Sequence, residues 1–128
     1  PYELRDRYCG VTVKSLSPNY WFRFYLKVNT NAGVDQYLDF HSENRRNEKV
    51  LEDGGQSEYW RVPLPEQCKD GDWHTFIVDL DDQVQKGFVK SFEWFERFCF
   101  RGDIGVADLF ISDSREAIEL VAVNPVVL

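Results

Sequence analysis

A chain of 128 residues is long enough for one domain with a sizeable core, and a hydrophobic share of 43% can fill it. Ten Phe, six Tyr and four Trp with no Met mean a core of aromatic and branched side chains, the residues that suit pleated strands. The net charge of −7 argues against a nucleic-acid backbone or an anionic membrane surface as partner, while leaving room for a local basic patch. No apolar run approaches the ~20 residues of a membrane span, so no membrane insertion is expected. No signal peptide is visible, and the start at Pro1-Tyr2-Glu3 reads as an excised domain or a processed product.

Strand signals dominate the chain. Val11-Thr12-Val13 reads as a short strand. Tyr20 to Asn29 reads as a long one, with Phe22, Phe24, Leu26 and Val28 on one face and Trp21, Arg23, Tyr25 and Lys27 on the other. Thr30-Asn31-Ala32-Gly33 is a turn, after which Gln36 to His41 returns as the second arm of a hairpin. Its faces carry Leu38 and Phe40 against Tyr37, Asp39 and His41. The polar segment Ser42 to Ser57 reads as a long loop, and a loop of that length is usually functional or mobile.

Glu58 to Leu64 is the next expected strand, followed by a loop over Glu66 to Asp72. Trp73 to Leu80 alternates His74, Phe76, Val78 and Leu80 against Trp73, Thr75, Ile77 and Asp79. Asp81 to Gly87 has the composition of one helical turn. In the aromatic stretch Lys90 to Arg101, alternation groups Phe92, Trp94, Phe98 and Phe100, with Glu96 among them. The opposite set is Ser91, Glu93, Phe95, Arg97, Cys99 and Arg101. Ile104 to Ile111 and Ala117 to Val123 complete the expected strands.

Eight or so strands, with no convincing helical period, predict a single all-β domain over residues 1–128. Two packed antiparallel sheets, a β-sandwich of jelly-roll type, fit the pattern, with a closed barrel as the alternative.

Catalytic signatures are sparse. His74 alternates with the apolar face of its strand and reads as structural, whereas His41 lies on a polar face where it can meet a ligand. Neither histidine has a nucleophile motif beside it, and no phosphate-cradling loop or HExxH occurs. The many Asp and Glu residues cluster in turns, where solvation is their usual role, so the expectation is a protein that binds rather than an enzyme. Cys9, Cys68 and Cys99 lack metal-ligand spacing, and an odd count leaves at least one thiol unpaired. Cys99 is expected as a buried small hydrophobe, and a Cys9–Cys68 disulfide is left open.

Two segments carry a resemblance. Gly71-Asp72-Trp73-His74-Thr75-Phe76-Ile77-Val78-Asp79-Leu80 and Phe100-Arg101-Gly102-Asp103-Ile104-Gly105-Val106-Ala107-Asp108-Leu109-Phe110-Ile111 resemble two strands of bacterial jelly-roll domains. These domains are similar to carbohydrate-binding modules and galactose-binding-like domains. The resemblance implies an extracellular or cell-surface accessory domain whose partner is a polysaccharide or other glycan. It also implies a structural calcium near Asp108, with Asp6 or Glu3 as further candidate ligands. A clear acidic calcium loop near the chain start is missing from this sequence.

A sugar-binding face needs flat aromatics for C–H faces and forked donors and acceptors for hydroxyls. Trp21, Arg23 and Tyr25, beside Tyr37, Asp39 and His41, supply both on the polar side of the expected hairpin. Tyr59 and Arg61, or Trp60, extend this platform. The competing reading buries Trp21 and Tyr25 in the core, with Arg23 and Lys27 reaching out to the edge. In that case the domain serves a structural or protein-interaction role through Ser42–Ser57 and Lys90–Arg101. Arg101-Gly102-Asp103 spells an integrin-binding tripeptide, but a tight turn is needed there in any case.

Overall fold

The computed structural model describes residues 6–43 and 45–128. Among them are nine strands: β1 (Tyr8–Ser15), β2 (Phe22–Asn29), β3 (Asp35–His41), β4 (Glu48–Glu52), β5 (Ser57–Pro63), β6 (His74–Asp79), β7 (Trp94–Gly102), β8 (Ile104–Ser112) and β9 (Val126–Val127). Two helices join them, α1 (Leu80–Phe88) and α2 (Arg115–Val121). The strands form a four-stranded sheet of order β8-β1-β6-β9 and a five-stranded sheet of order β4-β5-β3-β2-β7. The protein is thus a two-sheet all-β sandwich.

The core lies between the sheets because alternation sends one face of each strand inward. Phe22, Phe24, Leu26 and Val28 of β2 meet Cys9, Val11 and Val13 of β1 and Phe76 and Val78 of β6. Phe24 stacks on Phe40 at 5.0 Å and tilts against Phe76 at 5.8 Å. Each such fully buried aromatic contributes about 1.5–3 kcal/mol through the water it leaves. The β2–β3 hairpin forms with the expected facing, pairing Phe24 with Phe40 and Leu26 with Leu38.

Several local expectations give way. Ser42–Ser57 is not all loop: it contains β4, whose Glu48, Lys49 and Glu52 put charge on an exposed sheet edge, where it discourages further pairing. A tight turn, Asp53–Gly55, with positive φ at all three residues then leads into β5. The sheets are also not purely antiparallel, since β5 runs parallel to β3 and β9 parallel to β6. Ala117–Val123 is mostly helix rather than strand: Ser114 caps α2 by accepting a hydrogen bond from the Ala117 N–H at 3.2 Å.

The turn expected at Asp81–Gly87 is a nine-residue helix. Asp79 caps it by accepting from the Asp82 N–H at 3.1 Å, and Asp81 and Asp82 favour its positive end. Its buried residues Leu80, Gln83, Val84, Gly87 and Phe88 follow helical spacing. Gly87 lets the helix close on Trp60, whose Cγ is 2.3 Å from where a Cβ would stand. In β7 a bulge at Lys27/Val28 of its partner changes the phase. Phe95 therefore joins Phe98 and Phe100 on the core side, while Trp94 moves to the other.

All three cysteines are free thiols, so Cys9 and Cys68 are not bridged. Both are buried; burial raises the Cys9 thiol pKa strongly, and that of Cys68 to about 11. Cys99 is half-buried on the outer face opposite Tyr25 and is not a core residue.

Candidate functional site: the outer face of the five-stranded sheet

Three pairings assemble this face. The β2–β3 hairpin sets Tyr25 opposite Asp39 and Arg23 opposite His41. The parallel β3–β5 pairing sets Asp39 beside Arg61 and Tyr37 beside Tyr59. On the other flank β7 brings Arg101 opposite Arg23 and Cys99 opposite Tyr25. Side chains that alternate outward on four strands thereby meet in adjacent rows.

The aromatic centre is self-packed. Tyr37 and Tyr59 stack at 4.7 Å with an interplanar angle of 11°, and Tyr25 meets both edge-on at 5.7 and 6.1 Å. The Arg23 guanidinium lies over the Tyr25 ring at 4.8 Å and reaches towards Tyr59 at 6.0 Å. Arg101 Nε donates to the Tyr25 hydroxyl at 3.3 Å. At the end of the face Trp21 stacks on His41 at 5.3 Å, with 42% of its surface exposed.

Asp39 is the electrostatic pivot. It is wholly buried, and its Oδ2 accepts from Arg23 at 3.3 Å and from Arg61 Nε at 3.1 Å. Its Oδ1 and Arg23 Nε are also buried and have no protein partner among the described residues. Burial raises the Asp39 carboxyl pKa and outweighs the pull of the two arginines. His41 is lowered by burial first and then by Arg23, Arg61 and Lys69. Its Nδ1 accepts from the Glu43 N–H at 3.0 Å, as a neutral imidazole does. Burial likewise raises the Tyr59 phenol.

The structure brings together eight of the residues expected from sequence: Trp21, Arg23, Tyr25, Tyr37, Asp39, His41, Tyr59 and Arg61. Trp60 does not belong with them. It alternates to the inner side of β5, packs against the core and Gly87, and donates through Nε1 to Gln83 Oε1 at 3.2 Å. The competing reading, which buries Trp21 and Tyr25 in the core, does not hold: Trp21 is exposed and Tyr25 half-buried on the outer side, while Tyr37 is covered by its neighbours on the same face. Arg101 is the residue the sequence argument passed over, although alternation had already grouped it with Arg97 and Cys99.

The face itself is a surface rather than a cavity. Depressions of about 340 Å³ and about 620 Å³ border its ends, one beside Lys27, Asp35 and Glu96, the other beside Ser42, Pro63 and Leu64.

Asp108 is the expected calcium ligand. It is exposed on edge strand β8 opposite Thr12. Among the described residues no three His, Cys, Asp or Glu side chains gather where a metal could be held, and Asp6 brings no such group together. Glu3 lies outside the described residues. His74 is buried, with Nε2 2.8 Å from Asp70 Oδ1, and its buried Nδ1 has no protein partner among the described residues.

No protein-family model matches the chain, and a search of curated proteins returns no relative. No helix among the described residues is long and apolar enough to cross a membrane.

Proposed function

We propose that this domain is a non-catalytic carbohydrate-binding module that takes a glycan across the outer face of the five-stranded sheet. The observation that carries the reading is an asymmetry. The outer face of the four-stranded sheet is roofed by α2, whereas that of the five-stranded sheet has no covering element among the described residues and carries Trp21, Tyr25 and Tyr59 among forked guanidiniums. Exposed or half-exposed rings meet the C–H faces of sugars, and Arg23, Arg61 and Arg101 offer donors to hydroxyl and ring oxygens.

An open surface flanked by two depressions suits an extended polymer better than a small molecule, which calls for an enclosed pocket. The buried carboxylate at the centre, Asp39, is already held by two arginines and serves to orient them. A module of this kind works as an extracellular or cell-surface accessory to a larger protein. The competing role, a protein-interaction domain, lacks a flat apolar patch on this face.

A glycan array on the folded domain, run with wild type and Trp21→Ala, tests the proposal. Because Trp21 is 42% exposed at the rim, its loss should abolish binding and leave the melting temperature within a few degrees of wild type. Unfolding of the variant, or binding that survives it, would remove the platform's main support.

A further inference from the structure

We infer that the glycan taken by this face is an acidic one, its carboxylate or sulfate group held by Arg101 and Arg23 at the Trp21 end. The inference rests on the carbohydrate reading above and adds the charge of the ligand.

The chain carries −7 overall, yet this end of the face gathers Arg23, Arg61 and Arg101 around the buried carboxylate of Asp39, with Glu48 and Glu52 at its β4 margin. One oxygen of Asp39 serves both Arg23 and Arg61. Glu48 approaches Arg61 only at 3.7 Å and is shared with Arg46 at 3.8 Å. Arg101 has no carboxylate partner among the described residues, only the Tyr25 hydroxyl. The opposite end of the face is different. There Lys27 is paired with Glu96 at 2.8 Å and Asp35 at 3.3 Å. Arg97, opposite Lys27, likewise has no carboxylate partner among the described residues, so unpaired guanidiniums run along the β7 flank from Arg97 to Arg101, with Arg101 the nearer to Trp21.

The donors are also pre-ordered. Arg23 is held over the Tyr25 ring, and its buried Nε has no protein partner among the described residues. Arg101 is held through its Nε, which leaves its terminal nitrogens for a ligand. A guanidinium fixed before binding loses little entropy on meeting a carboxylate or sulfate, whose oxygens match its fork. Trp21 adjoins this anion site: a Cβ on Gly102, the residue after Arg101, would stand 3.1 Å from the Trp21 ring. A uronic acid or sulfated sugar stacked on Trp21 thus presents its charged edge to the arginines. The depressed His41 is consistent with the same positive surroundings.

The experiment is affinity electrophoresis and calorimetry of the whole chain with polygalacturonate, alginate and chondroitin sulfate. Carboxyl-reduced polygalacturonate and inorganic polyphosphate serve as controls. The expected result is binding to at least one acidic polymer that weakens as salt rises from about 50 to about 500 mM. Arg101→Ala should weaken it by about tenfold or more, the loss of a hydrogen bond to a charged group, with Arg101→Lys in between. Where polygalacturonate is the ligand, carboxyl reduction should cost at least as much.

Equal binding of reduced or other neutral glycans, insensitive to salt and to Arg101→Ala but lost in Trp21→Ala, would overturn the acidic ligand and leave the carbohydrate reading standing. Binding of polyphosphate as tight as that of any sugar polymer, and indifferent to Trp21→Ala, would mean a bare anion site and overturn both. No binding by the folded protein would also overturn both.

Discussion

The two outward sheet faces solve the same problem in different ways. On the four-stranded sheet, Thr12, Thr75 and Ile77 are buried, and α2 packs on β1 and β8 with Ile118 seated over Gly10 beside Thr75. Gly10 makes room for it: a Cβ there would stand 2.6 Å from Ile118 Cγ2. The polar atoms under this roof are satisfied, with the two threonine hydroxyls 2.7 Å apart and the Val123 N–H donating to Thr75 Oγ1 at 2.9 Å. On the five-stranded sheet the cover is made by the face's own tyrosines and arginines, and a buried donor and acceptor, Arg23 Nε and Asp39 Oδ1, are left without protein partners. A face closed by an apolar roof is built for stability. A face closed only by its own amphipathic side chains stays available to a ligand.

The largest effect should come from the roof. Ile118→Ala removes its one buried anchor and should cost about 2–5 kcal/mol in urea unfolding. Gly10→Ala should cost about 1–3 kcal/mol by overpacking the same contact. Tyr59→Ala on the open face should cost only about 1 kcal/mol, mainly its stacking on Tyr37. A loss as large as that of Ile118→Ala would make the open face structural and dissolve the contrast.

The smallest effect is a dependence on pH with opposite signs on the two sheets. Asp39 on the five-stranded sheet has a raised pKa, so the native state holds that proton more tightly than the unfolded chain. Its contribution is complete below the ordinary Asp value and is lost as pH rises through the raised one. Asp79 on the other sheet is pushed up by burial, but Arg7 and backbone N–H groups outweigh this and hold it low; Arg7 bonds both its oxygens, at 2.9 and 2.8 Å. Its contribution is present above the ordinary value and lost as pH falls through the depressed one. Urea midpoints measured across the acid range should show both limbs, and Asp39→Asn should flatten the upper one alone.

Much of this was legible from alternation. The inward set of β2 and β3 and the outward set Arg23, Tyr25, Tyr37, Asp39 and His41 follow from period two, which a strand with one buried face enforces. The elements that were misread had weak or ambiguous patterns. In α1 the core-facing positions include Gln83 and Gly87, which dilute the apolar stripe. In α2 Ile118 and Leu120 alternate as a strand would, and the Ser114 cap decides the matter for helix. In β4 the residues are polar because the strand is an edge. Trp60 beside Tyr59 and Arg61 needed a phase, and the contact of its ring with α1 across Gly87 supplied it.

The sequence by itself determined which side chains leave each strand on which side, because that depends only on the pleat. It also placed aromatic and forked cationic groups together on the outward side of β2. Tertiary structure alone decided who meets whom. The parallel register of β3 and β5 put Arg61 against Asp39, the edge position of β7 added Arg101, and α2 roofed one sheet and left the other open. Strand order and layer packing depend on contacts between residues far apart in the chain, and no local period encodes them.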